Sequence, residues 1–146
     1  MLVSQVMSQN VVYLSPNDTV SRAARLLSRH NIGALPVCTD DRRLRGVVTD
    51  RDIAIRCVAY ENPPEETRLR DIMTRGIITV TPHDDIKEAA HLMAEEQIRR
   101  LPVTENGCIV GMLSLSDLTR AKALHKSEIS SALTEISMTR KRYKKI

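Results

Sequence analysis

The chain states one pattern twice. Val6-Met7 through Leu35-Pro36-Val37 recurs as Ile72-Met73 through Leu101-Pro102-Val103 at a constant shift of 66 residues. Pro16 falls on Pro82, Asp18 on Asp84, Ala23-Ala24 on Ala89-Ala90 and Ile32 on Ile98. One residue is then lost, and the match resumes at a shift of 65, where Gly46-Val47-Val48-Thr49-Asp50-Arg51-Asp52 falls on Gly111-Met112-Leu113-Ser114-Leu115-Ser116-Asp117. Such a repeat demands two similar supersecondary units. A unit of about 50–60 residues is marginal alone, because its surface is large for its volume. Two copies in 146 residues are therefore expected to share one core.

The local pattern of each copy reads strand-helix-strand-strand-helix. Val11-Val12-Tyr13-Leu14 and Ile77-Ile78-Thr79-Val80 are runs rich in β-branched residues, each closed by Ser/Thr-Pro, which suits a strand and a turn. Asn17-Asp18 and His83-Asp84-Asp85 supply helix-starting acceptors. The apolar positions Val20, Ala23, Ala24, Leu27 and Ile86, Ala89, Ala90, Met93 then follow the i, i+3, i+4, i+7 rule of an amphipathic helix. Leu35-Pro36-Val37-Cys38 and Leu101-Pro102-Val103-Thr104 read as second strands, with proline at a strand start or edge because it cannot donate to a ladder. Turns at Thr39-Asp40-Asp41 and Glu105-Asn106-Gly107 lead to third strands at 44–48 and 109–113. A second helix follows near Asp50 and near Leu115. The expected organisation is repeat 1 at 1–59, a proline-rich acidic linker at 60–67, repeat 2 at 68–123 and a non-repeated end at 124–146. In that end Ile129, Leu133 and Ile136 suit a short amphipathic helix, and a basic run follows at 140–145.

Composition removes several functions. Hydrophobic residues at 42% and charged residues at 27% fit a soluble globular protein. No apolar run is long enough to span a bilayer and no secretory leader is recognisable, so a cytoplasmic location without membrane association is expected. Three Tyr without Phe or Trp leave almost no platform for stacking bases. The net charge of +4 and the basic end keep weak nucleic-acid binding as an alternative. Cys38, Cys57 and Cys108 form no Cys-x-x-Cys pair, and the four histidines show no i, i+4 pairing, so neither a disulfide framework nor a metal site is expected.

Chemistry concentrates in Gly46-x-x-Thr49-x-x-Asp52 and Gly111-x-x-Ser114-x-x-Asp117, each running from a strand into a helix. A hydroxyl followed three residues later by an acid is a capping box, which stabilises any helix start. The same geometry suits a nucleotide: free N–H groups and a hydroxyl for phosphate, and a carboxylate one turn on for a ribose diol. Both readings stand on the sequence. No nucleophile–base pair accompanies either motif, so no enzymatic activity and no required cofactor are expected.

The duplicated Leu-Pro-Val strands and Gly-x-x-Thr/Ser-x-x-Asp endings resemble paired CBS domains, the Bateman module, over about residues 2–121. Gly-Val-Val-Thr-Asp-Arg-Asp-Ile-Ala at 46–54 and Gln-Ile-Arg-Arg-Leu-Pro-Val at 97–103 are similar to small stand-alone bacterial members. The resemblance implies an α/β fold of two pseudo-symmetric β-α-β-β-α repeats packed as one module. It also implies clefts between the repeats for AMP, ADP, ATP or S-adenosylmethionine. By analogy Asp52 and Asp117 hold ribose, while Thr49 and Ser114 bond phosphate. The Asp52 cleft would draw on Ile77, Ile78, Arg99, Arg100, Leu101 and Pro102, with Arg51 beside it. The Asp117 cleft would draw on Val11, Val12, Gly33, Ala34, Leu35 and Pro36. Because Arg99-Arg100 face Gly33-Ala34 in the alignment, the Asp52 cleft is expected to be the more basic and to prefer the phosphate-bearing ligand. A homodimer formed through the second helices, with Ile53, Val58 and Leu118, is the expected assembly, acting on an unnamed protein partner. The leading function is a non-enzymatic regulatory sensor of adenosine-containing ligands. The alternative is a structural or interaction module with empty clefts.

Overall fold

The computed structural model describes residues 1–121. After a 3-10 turn at Val3–Gln5 come α1 (Val20–His30), β1 (Ala34–Cys38), β2 (Leu44–Thr49) and α2 (Asp50–Ile53), which continues as a π-helical turn at Ala54–Val58. The second copy adds α3 (Leu69–Ile72), α4 (Ile86–Glu96), β3 (Arg100–Glu105), β4 (Cys108–Ser114) and α5 (Leu115–Arg120). Of the expected helix-starting acceptors Asp85 serves as a cap, whereas the cap of α1 falls one residue beyond Asn17-Asp18, and Asp18 Oδ2 instead accepts from the Ser15 amide at 2.8 Å. Thr19 caps α1 by accepting from the Arg22 amide at 3.2 Å, and Asp85 caps α4 by accepting from the Lys87 amide at 2.8 Å. The buried stripe of α4 is Ile86, Ala89, Ala90 and Met93, as its spacing predicts. That of α1 is narrower, Val20, Ala23 and Leu27, with Ala24 exposed rather than buried.

β1 and β2 form an antiparallel pair with Ala34 opposite Thr49, Leu35 opposite Val48 and Pro36 opposite Val47; β3 and β4 form a second pair. The latter turns at Asn106-Gly107, both with positive φ, as a two-residue hairpin loop requires. The first predicted strand of each copy shrinks to a single parallel bridge, Leu14 to Val37 and Val80 to Val103. Leu14 N–H donates to Pro36 O at 3.1 Å, and Cys38 N–H donates to Leu14 O at 2.8 Å. Pro36 itself offers no N–H for the next rung, and the Ser-Pro turn stops the run, so the ladder cannot lengthen.

The compact units are not the sequence copies. Within the described residues, one contains Val12–Ile77 with the hairpin tip Asn106–Ile109; the other contains Met1–Val11, Ile78–Glu105 and residues 110–121. Each unit thus holds the helix and hairpin of one copy with the lead-in of the other. The same bonds secure both exchanges. Leu69, Arg70 and Val20 amides donate to Asp18, Pro16 and Thr67 carbonyls at 2.9, 3.0 and 2.9 Å. The aligned Val3, Ser4 and Ile86 amides donate to Asp84, Pro82 and Met1 carbonyls at 2.9, 3.0 and 3.1 Å.

The repeated glycines serve this exchange rather than a turn. A Cβ on Gly46 would stand 2.7 Å from Met73 Sδ and 2.9 Å from Thr74 O, and one on Gly111 would stand 2.6 Å from Met7 Sδ and 3.0 Å from Ser8 O. Close approach lets Val47 and Thr74 exchange backbone bonds at 3.0 and 2.8 Å, as Ser8 and Met112 do in the other unit at 2.9 Å each way.

In place of one shared core there are two clusters of buried residues. Leu14, Val20, Ala23, Leu27, Leu35, Val37, Val48 and Cys57 are completed by Leu69, Ile72 and Met73. Val80, Ile86, Ala89, Ala90, Met93, Leu101, Val103, Leu113, Leu118 and Ala121 are completed by Val3. The borrowed lead-ins supply apolar surface that a single copy of this size lacks. Cys38 and Cys57 are buried as expected of small hydrophobes, and burial pushes the Cys38 thiol up to about 11, so it stays protonated at neutral pH. Leu118, expected on a contact face, is instead 1% exposed inside a core, because its position in α5 points it at that cluster. Ile53 packs at a core edge, whereas Val58 is exposed together with Ile55 and Tyr60. The helix expected near 129–136 and the basic run at 140–145 lie outside the described residues. Among the described residues no helix is long and apolar enough to cross a membrane.

Candidate functional site

Both hydroxyl–aspartate motifs fold as complete capping boxes. Thr49 N–H donates to Asp52 Oδ2 at 3.0 Å, and Asp52 N–H donates to Thr49 Oγ1 at 3.0 Å. Ser114 and Asp117 make the same pair at 2.8 and 3.1 Å. β2 and β4 deliver the hydroxyls, and each helix start is tied to the loop before its hairpin. Asp50 N–H donates to Gly33 O at 3.0 Å, and Leu115 N–H donates to Arg99 O at 2.8 Å.

The surroundings of the two carboxylates differ. Asp52 is only 6% exposed, the one charged residue that is buried among the described residues. It also accepts from Thr74 Oγ1, at 3.0 Å to Oδ1 and 3.2 Å to Oδ2, and pairs with Arg56 Nη1 at 3.5 Å. A carboxylate is costly to bury without such partners. Asp117 is met at Oδ1 by Arg120 Nη2 at 2.6 Å, and Ser114 Oγ lies 2.9 Å from Ser116 Oγ. Arg56 aligns with Ala121 and Thr74 aligns with Ser8, so the Asp52 arrangement has no copy.

A cavity of about 330 Å³ opens at the Asp52 motif, lined by Thr49, Arg51, Asp52, Ile55, Arg56 and Thr74. Residues bearing hydroxyls, a carboxylate and two guanidinium groups thus line one cavity, a set suited to a diol joined to an anion. The volume lies at the small end for ligand sites.

The expected site residues divide between the two units. Thr49, Arg51, Asp52, Val12, Gly33, Ala34, Leu35, Pro36 and Ile77 belong to one; Ser114, Asp117, Val11, Ile78, Arg99, Arg100, Leu101 and Pro102 belong to the other. Gly33 is bonded to the start of the Asp52 helix and Arg99 to the start of the Asp117 helix. The basic residues in Asp52's own unit that line its cavity are Arg51 and Arg56. Leu35, Pro36, Leu101 and Pro102 are buried, with the Pro36 and Pro102 carbonyls taken by the Leu14 and Val80 amides at 3.1 Å each. Sequence reading missed Arg56, Thr74 and Ile55. Helical spacing from Asp52 could have found Ile55 and Arg56, one turn on. Thr74, 22 residues away, carried no signal before the fold was known.

Comparison with known proteins bears on this arrangement. The CBS domain family model matches residues 3–58 and again 69–124. The chain is 37% identical over 135 residues to the CBS domain-containing protein YhcV of Bacillus subtilis, covering 92% of this chain and 94% of that protein. It is 35% identical over 115 residues to Hypoxic response protein 1 of Mycobacterium tuberculosis, covering 79% and 80%. Among solved structures it is similar to the CBS domain pair of protein MJ0100 in complex with 5'-methylthioadenosine and S-adenosyl-L-methionine. That match has a TM-score of 0.71 and 28% identity, and covers 82% of this chain and 94% of that one. With two matched copies spread over most of its length, this chain belongs to the CBS-domain family.

Proposed function

We propose that this chain is a non-enzymatic regulatory module that binds adenosine-containing ligands at its hydroxyl–aspartate motifs and passes their occupancy to a partner. The cavity at Thr49 and Asp52 carries this reading, because an acceptor for a diol and cations for a phosphate line the same cavity. The adenosyl ligands of the MJ0100 domain pair support the ligand class. Asp52 and Asp117 take the ribose hydroxyls, Thr49 and Ser114 the phosphate side. Val12 and Ile77 in one unit, and Val11 and Ile78 in the other, offer apolar surface to adenine. The ligand is AMP, ADP, ATP or S-adenosylmethionine, and the module works in the cytoplasm.

Thermal unfolding of ligand-free protein with each of these compounds tests the proposal. A ligand at about 100 times its dissociation constant stabilises by about 2.7 kcal/mol. An unmoved transition with every member would favour the second reading, an interaction module in which Thr49, Asp52, Ser114 and Asp117 serve as caps alone. The closed capping boxes at both motifs are the observation behind that reading.

Self-association belongs to the same proposal. Ile55 and Val58 are 45% and 63% exposed on the Ala54–Val58 helical turn, and Tyr60, in the turn that follows, is 73% exposed. Light scattering is expected to return twice the 16.4 kDa chain mass, and Val58→Glu to return one chain. A single-chain mass for the unaltered protein would exclude the homodimer.

A further inference from the structure

We infer that Arg56 is the anion-selecting residue of the Asp52 site, held ready by the carbonyls of Ile72 and Met73 and the hydroxyl of Thr74; the inference rests on the ligand class proposed above. Every bond that Arg56 makes to the described residues runs through one nitrogen. Nη1 donates to Ile72 O at 2.9 Å, to Met73 O at 3.3 Å and to Thr74 Oγ1 at 3.4 Å, and pairs with Asp52 Oδ1 at 3.5 Å. Nη1 has two hydrogens for these four acceptors, so the longer contacts are weak and easily exchanged for a better acceptor. Nε and Nη2 make no bond to the described protein, and the residue lines the cavity. One side of the guanidinium is thus anchored, and the other makes no bond among the described residues. A planar fork fixed in this way suits a phosphate or another compact anion in a two-point grip, which a lysine cannot copy.

The anchor is particular to this site. The carbonyls of Ile72 and Met73 reach Arg56 because the second copy's lead-in lies in Asp52's unit. The residue aligned with Arg56 is Ala121, and Asp117 is served instead by Arg120, whose side chain is 75% exposed and which stands three residues on rather than four. A diol at Asp52 Oδ1 competes with the longest of the four contacts, so the carboxylate releases Arg56 toward the ligand without loss of the 2.9 Å anchor. The Asp52 site is therefore assigned to an anionic adenosine ligand, and the Asp117 site lacks this means of choosing one.

The test is calorimetric titration of AMP and of adenosine into the full chain, with Arg56→Gln and Arg56→Lys. The unaltered protein is expected to bind AMP at least tenfold more tightly than adenosine. Arg56→Gln should remove that preference while leaving adenosine affinity within about twofold, and Arg56→Lys should restore only part of it. Equal loss of both ligands in Arg56→Gln, or an unchanged AMP preference, would overturn the inference and leave the ligand-binding proposal standing. Absence of binding by the unaltered protein would overturn both. The anchor is also read without ligand: Arg56→Lys should speed hydrogen exchange of the Thr74 amide several-fold, and an unchanged rate would contradict the anchoring.

Discussion

Leu35→Ala is expected to lower the unfolding free energy by about 2–5 kcal/mol. Leu35 is fully buried on β1, opposite Val48, within the cluster that holds Leu14, Val20, Leu27 and Cys57. Truncation removes the transfer term of three carbons and leaves a cavity that the two-stranded pair cannot close. Urea denaturation should show a lower midpoint with unchanged slope. The same cluster contains Leu69, Ile72 and Met73 from the second sequence copy. Exchange protection of the Thr74 amide, bonded to Val47 O at 2.8 Å, should therefore fall together with that of β1 and β2. A loss below about 1 kcal/mol, typical of surface positions, would contradict the placement of Leu35.

Gly46→Val is the second large effect. Even an alanine Cβ would meet Met73 Sδ at 2.7 Å, Met73 Cγ at 2.9 Å and Thr74 O at 2.9 Å. The thioether can turn aside, but the Thr74 carbonyl is fixed by its bond from the Val47 amide at 3.0 Å. Overpacking of this kind costs about 1–3 kcal/mol, and the branched side chain belongs at the upper end. Gly111→Ala should cost less than Gly46→Ala, since its backbone neighbour, Ser8 O, stands at 3.0 Å and the tighter contact is the flexible Met7 sulfur. Chemical denaturation of the alanine pair checks the order; equal or reversed costs would mean that the carbonyl contact is not limiting.

What the sequence made legible was local or duplicated. The α4 stripe, the hairpins, the caps at Thr49 and Ser114 and the family itself all follow from spacing that occurs twice. The exchange of lead-ins was hidden, because nothing in the residue pattern distinguishes Met73 packing on its own copy from Met73 packing on Gly46 of the other. The first strands were over-read for a related reason: β-branched residues favour extension, but the ladder they can form depends on a partner strand whose middle residue is proline. At the site, Arg99-Arg100 against Gly33-Ala34 is a difference between copies that alignment alone displays. The carboxylate that is buried and contested is Asp52, and its second-repeat partner Thr74 is visible only once the chain has folded.

Asp52 is proposed as a ligand-binding carboxylate as well as a cap. Calorimetric titration of AMP into ligand-free protein and into Asp52→Ala tests it most directly. The capping role alone costs about 0.5–2 kcal/mol of stability on substitution and no binding. The account predicts saturable binding to the unaltered chain and at least a tenfold loss in a folded Asp52→Ala protein. Equal AMP affinity in the two proteins would contradict it.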